Sequence, residues 1–313
     1  MVFLDTLGSM ASIMLIALVG CVLTRRDWIT AGIERFLLTL LVNVILPPFL
    51  AFQICVRFTR EDLPTLLTGT AIPAAAILIT FAACLLAARA IGLVGQHRRL
   101  VALSCSLSNT GYIGIPVNIA LFGEQGLPFL MLYFIANTVI EWTVGALALA
   151  GGEGGARLPI GQVVRKVLSP PLIGILAGLA VAALGIPVPR LILTTCGYIG
   201  GMCTPLAMLY IGALLARIDW KGTRPGRDTA LGMAGRSIFC PIVTLVLVSL
   251  TDLPLMMKQV FVIQAAMPVL TNITVVAAYF GADRHWASLF VAISTIAGVI
   301  TIPIWMTLLD ILL

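Results

Sequence analysis

The sequence predicts an all-α polytopic membrane protein with ten transmembrane helices forming two inverted five-helix repeats. Three observations carry that reading. Of 313 residues, 60% are hydrophobic and only 10% charged, whereas soluble domains carry about 25% charged residues. The apolar residues fall into ten runs of about 20 residues, the length that a hydrocarbon core of about 30 Å requires. Two of these runs, the fourth and the ninth, are interrupted by proline beside asparagine and threonine. Interruptions at matching positions of two halves point to a transporter binding site.

Span 1 extends from about Leu7 to Thr24 and stops at Arg25-Arg26-Asp27. Span 2, Phe36 to Val56, holds Asn43 and the Pro47-Pro48 pair, and span 3 covers Leu66 to Ala90. Span 4 follows His97-Arg98-Arg99 and ends near Gly123. Inside it Gly111 and Gly114 lower helix propensity, and Pro116 removes a backbone donor. In lipid the freed backbone groups need partners, so such a helix persists where it is buried in protein or lines a cavity. Asn109, Thr110 and Asn118 bring side-chain donors and acceptors to the interruption. Span 5 is Leu127 to Ala150.

Residues 1–150 form the first repeat, residues 151–169 a short cytoplasmic linker, and residues 170–313 the second repeat. Spans 6 (Leu172 to Ile186) and 7 (Leu191 to Ala216) lead to the most polar loop, residues 217–227. Span 8 is Thr229 to Leu250. Span 9, Met256 to Phe280, is interrupted at Gln264-Ala-Ala-Met-Pro268-Val-Leu-Thr271-Asn272, and span 10 is Trp286 to Leu312. Gly114-Ile-Pro116-Val-Asn118 in span 4 matches Ala266-Met-Pro268-Val-Leu-Thr-Asn272 in span 9. Asn43 to Pro47 in span 2 matches Cys203-Thr204-Pro205 in span 7. Because five is odd, two such halves lie inverted in the bilayer.

The net charge of +6 sits in short loops between apolar runs. It therefore indicates topology, and no nucleic-acid partner is expected. With the N-terminus outside, fourteen of the nineteen Lys and Arg residues fall in cytoplasmic loops and four in external ones. The bias places both termini outside, and the short loops suit a plasma (inner) membrane protein. No basic region or cleavage site marks the first run, which reads as a retained helix. The seven cysteines include no CxxC pair and read as small core residues, so neither metal nor cofactor is expected.

At these residues the chain resembles the auxin efflux carrier family, which includes bacterial malonate and other organic-acid carriers. The resembling segments are Leu46-Pro-Pro-Phe-Leu, Ser108-Asn-Thr-Gly-Tyr-Ile-Gly-Ile-Pro116, Thr204-Pro-Leu-Ala-Met, Gln264-Ala-Ala-Met-Pro268 and Pro303-Ile-Trp. The resemblance implies a scaffold bundle (spans 1, 2, 6 and 7) and a transport bundle (spans 3–5 and 8–10). It also implies that spans 4 and 9 cross at proline breaks, on Pro116 and Pro268, and that Asn109 contacts the substrate carboxylate. The plant carriers' long regulatory loop has no counterpart in the short linker here.

Asn109, Thr110 and Asn118 either cap the broken backbone or bind a carboxylate, and one residue can do both. Asn272, Thr271 and Gln264 stand in the same position in span 9. Asn43 either faces the site or bonds a neighbouring helix. Glu141 is an acid about 15 Å into span 5, where a charge costs about 2.5–3.5 kcal/mol on insertion scales. It either pairs with Arg236 of span 8 or carries a coupling proton, and Arg236 is otherwise an anion contact. His97 and His285 lie in loops, and no metalloprotease or in-span Ser/His pattern is present, so an enzyme is not expected. The reading is a secondary carrier of small organic anions, such as malonate-like dicarboxylates or auxin-like monocarboxylates. A sodium-coupled bile-acid-type symporter and a cation/proton antiporter on the same scaffold are the alternatives. The expected partners are a small carboxylate, the lipid bilayer, and a coupling proton or sodium ion, with a homodimer as the candidate assembly.

Overall fold

The computed structural model describes residues 2–57, 69–150, 159–217 and 226–313. Among the described residues regular structure is helical, apart from one isolated antiparallel bridge between Ser108 and Val269. The helices are α1 (Val2–Arg25), α2 (Ala31–Arg57), α3 (Ala71–Ala90), α4 (Gly95–Ser106), α5 (residues 110–122), α6 (residues 127–150), α7 (Ile160–Val167), α8 (Pro170–Leu184), α9 (Arg190–Ala216), α10 (Arg227–Ser249), α11 (Leu255–Ala266), α12 (Ile273–Phe280) and α13 (Arg284–Leu312).

Among the described residues seven helices are long and apolar enough to cross a membrane, against the ten spans expected, and other apolar helices are shorter. The fourth and ninth spans divide into pieces of which α4 and α11 have 12 residues each, and α8 has only 15. The run Thr110–Ala150, 41 residues long, is twice a bilayer span. It turns back at Gly123, whose φ of +66° suits glycine. The sequence reading also missed α7 in the linker, where Ile160 and Val164 are exposed as on a helix lying along a membrane surface. The linker's first part (151–158), the start of span 3 (66–68) and most of the polar loop (218–225) lie outside the described residues.

Proline shapes the helices before it reaches the site. Three wide π-helical turns, Leu41–Ile45, Thr110–Gly114 and Gly235–Phe239, each end two residues before a proline: Pro47, Pro116 and Pro241. A proline ring clashes with the carbonyl one turn earlier and offers it no donor, and widening that turn relieves the clash.

Two helix pairs make backbone contacts. α1 packs on α9, where a Cβ on Gly212 would lie 1.8 Å from the Ala17 carbonyl oxygen. α2 packs on α8, where a Cβ on Gly174 would lie 2.3 Å from the Pro47 carbonyl oxygen. Only glycine permits either approach. α3 packs on α4, α6 and α10, α10 packs on α11, and α11 and α12 pack on α13.

Candidate functional site

The two interruptions meet. α4 ends at Ser106, the chain is extended at Leu107 (φ −89°, ψ 124°), and α5 begins at Thr110. α11 ends at Ala266, Met267 is extended (φ −59°, ψ 153°), and α12 begins at Ile273. The two extended segments run antiparallel and bond to each other: Asn109 N donates to Pro268 O (2.9 Å) and Leu270 N to Leu107 O (3.1 Å). Side chains satisfy the next groups along. Asn137 of α6 accepts from Ser108 N (2.9 Å) and donates to Ser108 O (3.1 Å), and Ser294 Oγ of α13 accepts from Val269 N (3.2 Å). Backbone polar groups at this depth thus find protein partners, as an apolar surrounding requires.

The first break therefore lies at residues 107–109, earlier than the expected Pro116. Pro116 lies two residues past the π turn, whose widened ring accommodates it within a continuous helix. Gly111 and Gly114 belong to that π turn. The second break does fall at its proline, Pro268.

A cavity of about 210 Å³ opens beside the crossing, between α2, α6 and the start of α8. Its polar wall is made by Asn109, Thr110, Asn137, Glu141 and Asn272, and its apolar wall by Val42, Leu46 and Phe134 among others. Asn109 caps α5: its Oδ1 accepts from Tyr112 N (3.1 Å) while its Nδ2 donates to Thr271 Oγ1 (2.7 Å) across the crossing. Asn272, at the N-cap position of α12, donates Nδ2 to Glu141 Oε1 (2.5 Å). Two helix N-termini, each carrying a positive partial charge and a carboxamide, thus border one space. A second cavity, about 640 Å³, shares Tyr112 and Asn272 with the first and is bordered by Thr271, Glu34, Arg35, Arg217, Arg284 and His285.

The expected site residues are partly brought together. Asn109, Thr110, Asn272 and Glu141 border the smaller cavity, and Thr271 borders the larger one. Gln264 is buried and donates to Gly114 O (3.4 Å), bracing the crossing from behind. Asn118 is fully buried but borders neither cavity; its side chain lies against Gly126. Asn43 is exposed and its neighbour Val42 lines the cavity instead, since one residue turns a helix face by about 100°. The Glu141–Arg236 pair does not form. Arg236 donates to the Ala265 carbonyl and to Cys240 Sγ, and no ion pair among the described residues includes it. Asn137 is the residue sequence reasoning undervalued. It is an in-span asparagine one turn before Glu141, but its task of holding both backbone groups of Ser108 depends on a contact 29 residues away.

A family described as membrane transport protein matches residues 5–158 and 157–306. The chain belongs to this family, the auxin efflux carriers. It is a multi-pass membrane transporter. It is 24% identical over 315 residues to an uncharacterized transporter of Methanothermobacter thermautotrophicus, covering 99% of this chain and 100% of the relative. It is also 23% identical over 240 residues to an uncharacterized transporter of Methanocaldococcus jannaschii, covering 72% and 76%. The two family matches meet inside the linker expected at residues 151–169.

Proposed function

We propose that this family member is a secondary carrier of small carboxylates working by alternating access. The observation that carries the reading is the convergence of two helix N-termini, with the carboxamides of Asn109 and Asn272, on one small cavity. Amide donors and aligned peptide dipoles attract an anion at lower desolvation cost than a fixed charge would. A cavity of about 210 Å³ is below the roughly 300–1,000 Å³ typical of drug-sized ligands, which favours a small acid over a large one.

Ten spans in two inverted repeats suit the same geometry. Spans 1 and 7 approach as spans 2 and 6 do, glycine against backbone, as a pseudo-twofold would relate them. Asn137 on span 5 and Ser294 on span 10 brace corresponding interruptions. With both termini outside a bacterial-type plasma membrane, the larger cavity with Arg35, Arg217 and Arg284 opens to the cytoplasm. The Arg57–Glu124 pair (2.7 Å) then lies at the outer end. Glu141 in the cavity wall favours proton coupling, because an ionised Glu141 and a bound carboxylate repel.

A thermal-shift screen of purified protein against small carboxylates, with and without sodium, tests the reading. A ligand at about 100 times its Kd adds about 2.7 kcal/mol of stability. A carboxylate shift that is lost in Asn109→Ala supports the carrier. Stabilisation by sodium alone, with no acid shifting the melt, would replace it with the cation-transport alternative.

A further inference from the structure

Helix α7 has eight residues, a length of about 12 Å, and is too short to cross a bilayer. In its sequence Ile160, Val163, Val164 and Val167 recur at the spacing of one helical face, while Gln162, Arg165 and Lys166 fall on the other. Val167 packs against the protein core, whereas Ile160 is 83% and Val164 49% exposed. The Arg165-Lys166 pair brings two positive charges, and the sequence holds no acid between Glu153 and Asp219 to offset them. Arg165 is exposed and takes part in none of the ion pairs among the described residues.

The depth of α7 follows from its neighbours. Gln96 donates to the Leu149 carbonyl (2.9 Å) and Arg99 to the Ala148 carbonyl (3.0 Å), so polar side chains mark the end of α6. α7 packs instead on the wide turn Glu141–Gly145, about 6–12 Å further in along α6. This is the depth of the headgroup–acyl boundary. Amphipathic helices rest there with the apolar face about 5–10 Å deep, and basic residues on the polar face favour anionic lipids.

From that level α7 reaches the small cavity by two routes. The turn beneath it gives Glu141 and Trp142 to the cavity wall. The chain leaving α7 turns sharply, with Ser169 N donating to Val167 O (2.7 Å), and Ser169 and Pro171 line the same cavity.

We infer that α7 is an interfacial anchor for anionic phospholipid headgroups, and that its seating on them positions the cavity wall made by Glu141, Trp142 and Ser169. The inference rests on the carrier reading for what the cavity binds, but its test needs no carboxylate, so either can fail alone. Full-length protein is placed in nanodiscs of phosphatidylcholine alone and of phosphatidylcholine mixed with phosphatidylglycerol. Amide hydrogen exchange is followed for the wild type and for the double variant Arg165→Gln/Lys166→Gln. In the wild type, amides of residues 164–169 are expected to exchange several-fold more slowly in the anionic discs, and those of residues 141–145 to slow with them. The double variant should lose both differences, and added salt should weaken them in the wild type. Equal exchange of α7 in the two lipids overturns the anchor, since a helix held by protein contacts alone would behave so. Slowing of α7 with no response at residues 141–145 overturns its hold on the cavity. Undiminished slowing in the double variant overturns the headgroup site. The wild-type comparison stands even if the double variant does not fold.

Discussion

At the first interruption Asn109 caps its helix with the side-chain oxygen and reaches across the crossing with the amide. At the second, Asn272 caps nothing and gives its amide to Glu141. The surroundings differ in the same sense. After Asn109 the chain enters a π turn in which Gly114 lies under Gln264, with room for no Cβ: one would sit 2.5 Å from Gln264 Oε1. After Pro268 the chain makes an ordinary turn into regular helix, packed against Gly298 of α13. The first interruption is therefore a structural joint that also borders the cavity. The second presents an asparagine committed only to another cavity side chain. On the carrier reading, similar residues at the two interruptions divide the work of holding the fold and meeting the ligand.

Four substitutions break or sharpen that contrast. Asn109→Ala removes a cap and a cross-crossing bond and leaves Tyr112 N and Thr271 unmatched. A loss of about 2–4 kcal/mol in denaturant unfolding is expected, with carboxylate uptake into proteoliposomes abolished. Gly114→Ala forces Gln264 aside and is expected to cost about 1–3 kcal/mol by the same measurement. Thr271→Val keeps the shape of the side chain but takes the acceptor from Asn109 Nδ2, for about 1 kcal/mol. Asn272→Ala should change stability by less than about 1 kcal/mol while weakening carboxylate binding, read by titration calorimetry. If Asn272→Ala destabilises as much as Asn109→Ala, the two interruptions are equivalent and the contrast fails.

The all-helical, multi-pass character was legible because a run of about 20 apolar residues admits few readings in a bilayer. The crossing could be located to within a turn, since Asn109, Thr110, Thr271 and Asn272 all fall at it. The exact break was not legible. Pro116 looks disruptive in the sequence, but the π turn ahead of it absorbs the disruption and moves the extended segment to Leu107–Asn109. Asn43 was misplaced because the same kind of widened turn shifts helix phase, so an in-span polar residue ends up exposed. Glu141 and Arg236 were matched on depth alone. Depth fixes the level in the membrane and not the azimuth around it, and the two side chains face different partners. Asn137 and Ser294 needed the tertiary structure, because what they bind is backbone from other helices.

The two backbone hydrogen bonds that join the interruptions also restrict how the protein can move. Pulling Asn109 N from Pro268 O, or Leu270 N from Leu107 O, would strand polar groups where water does not reach. The four half-helices are therefore tied together at their inner ends, and on the carrier reading they would shift as one body against the α1/α9 and α2/α8 pairs. On the carrier reading, the polar wall of the cavity would travel with that body, while the apolar wall from Val42 and Leu46 would stay with α2. Amide hydrogen exchange should record it, with the protons of Asn109 and Leu270 among the slowest to leave whichever way the pocket faces.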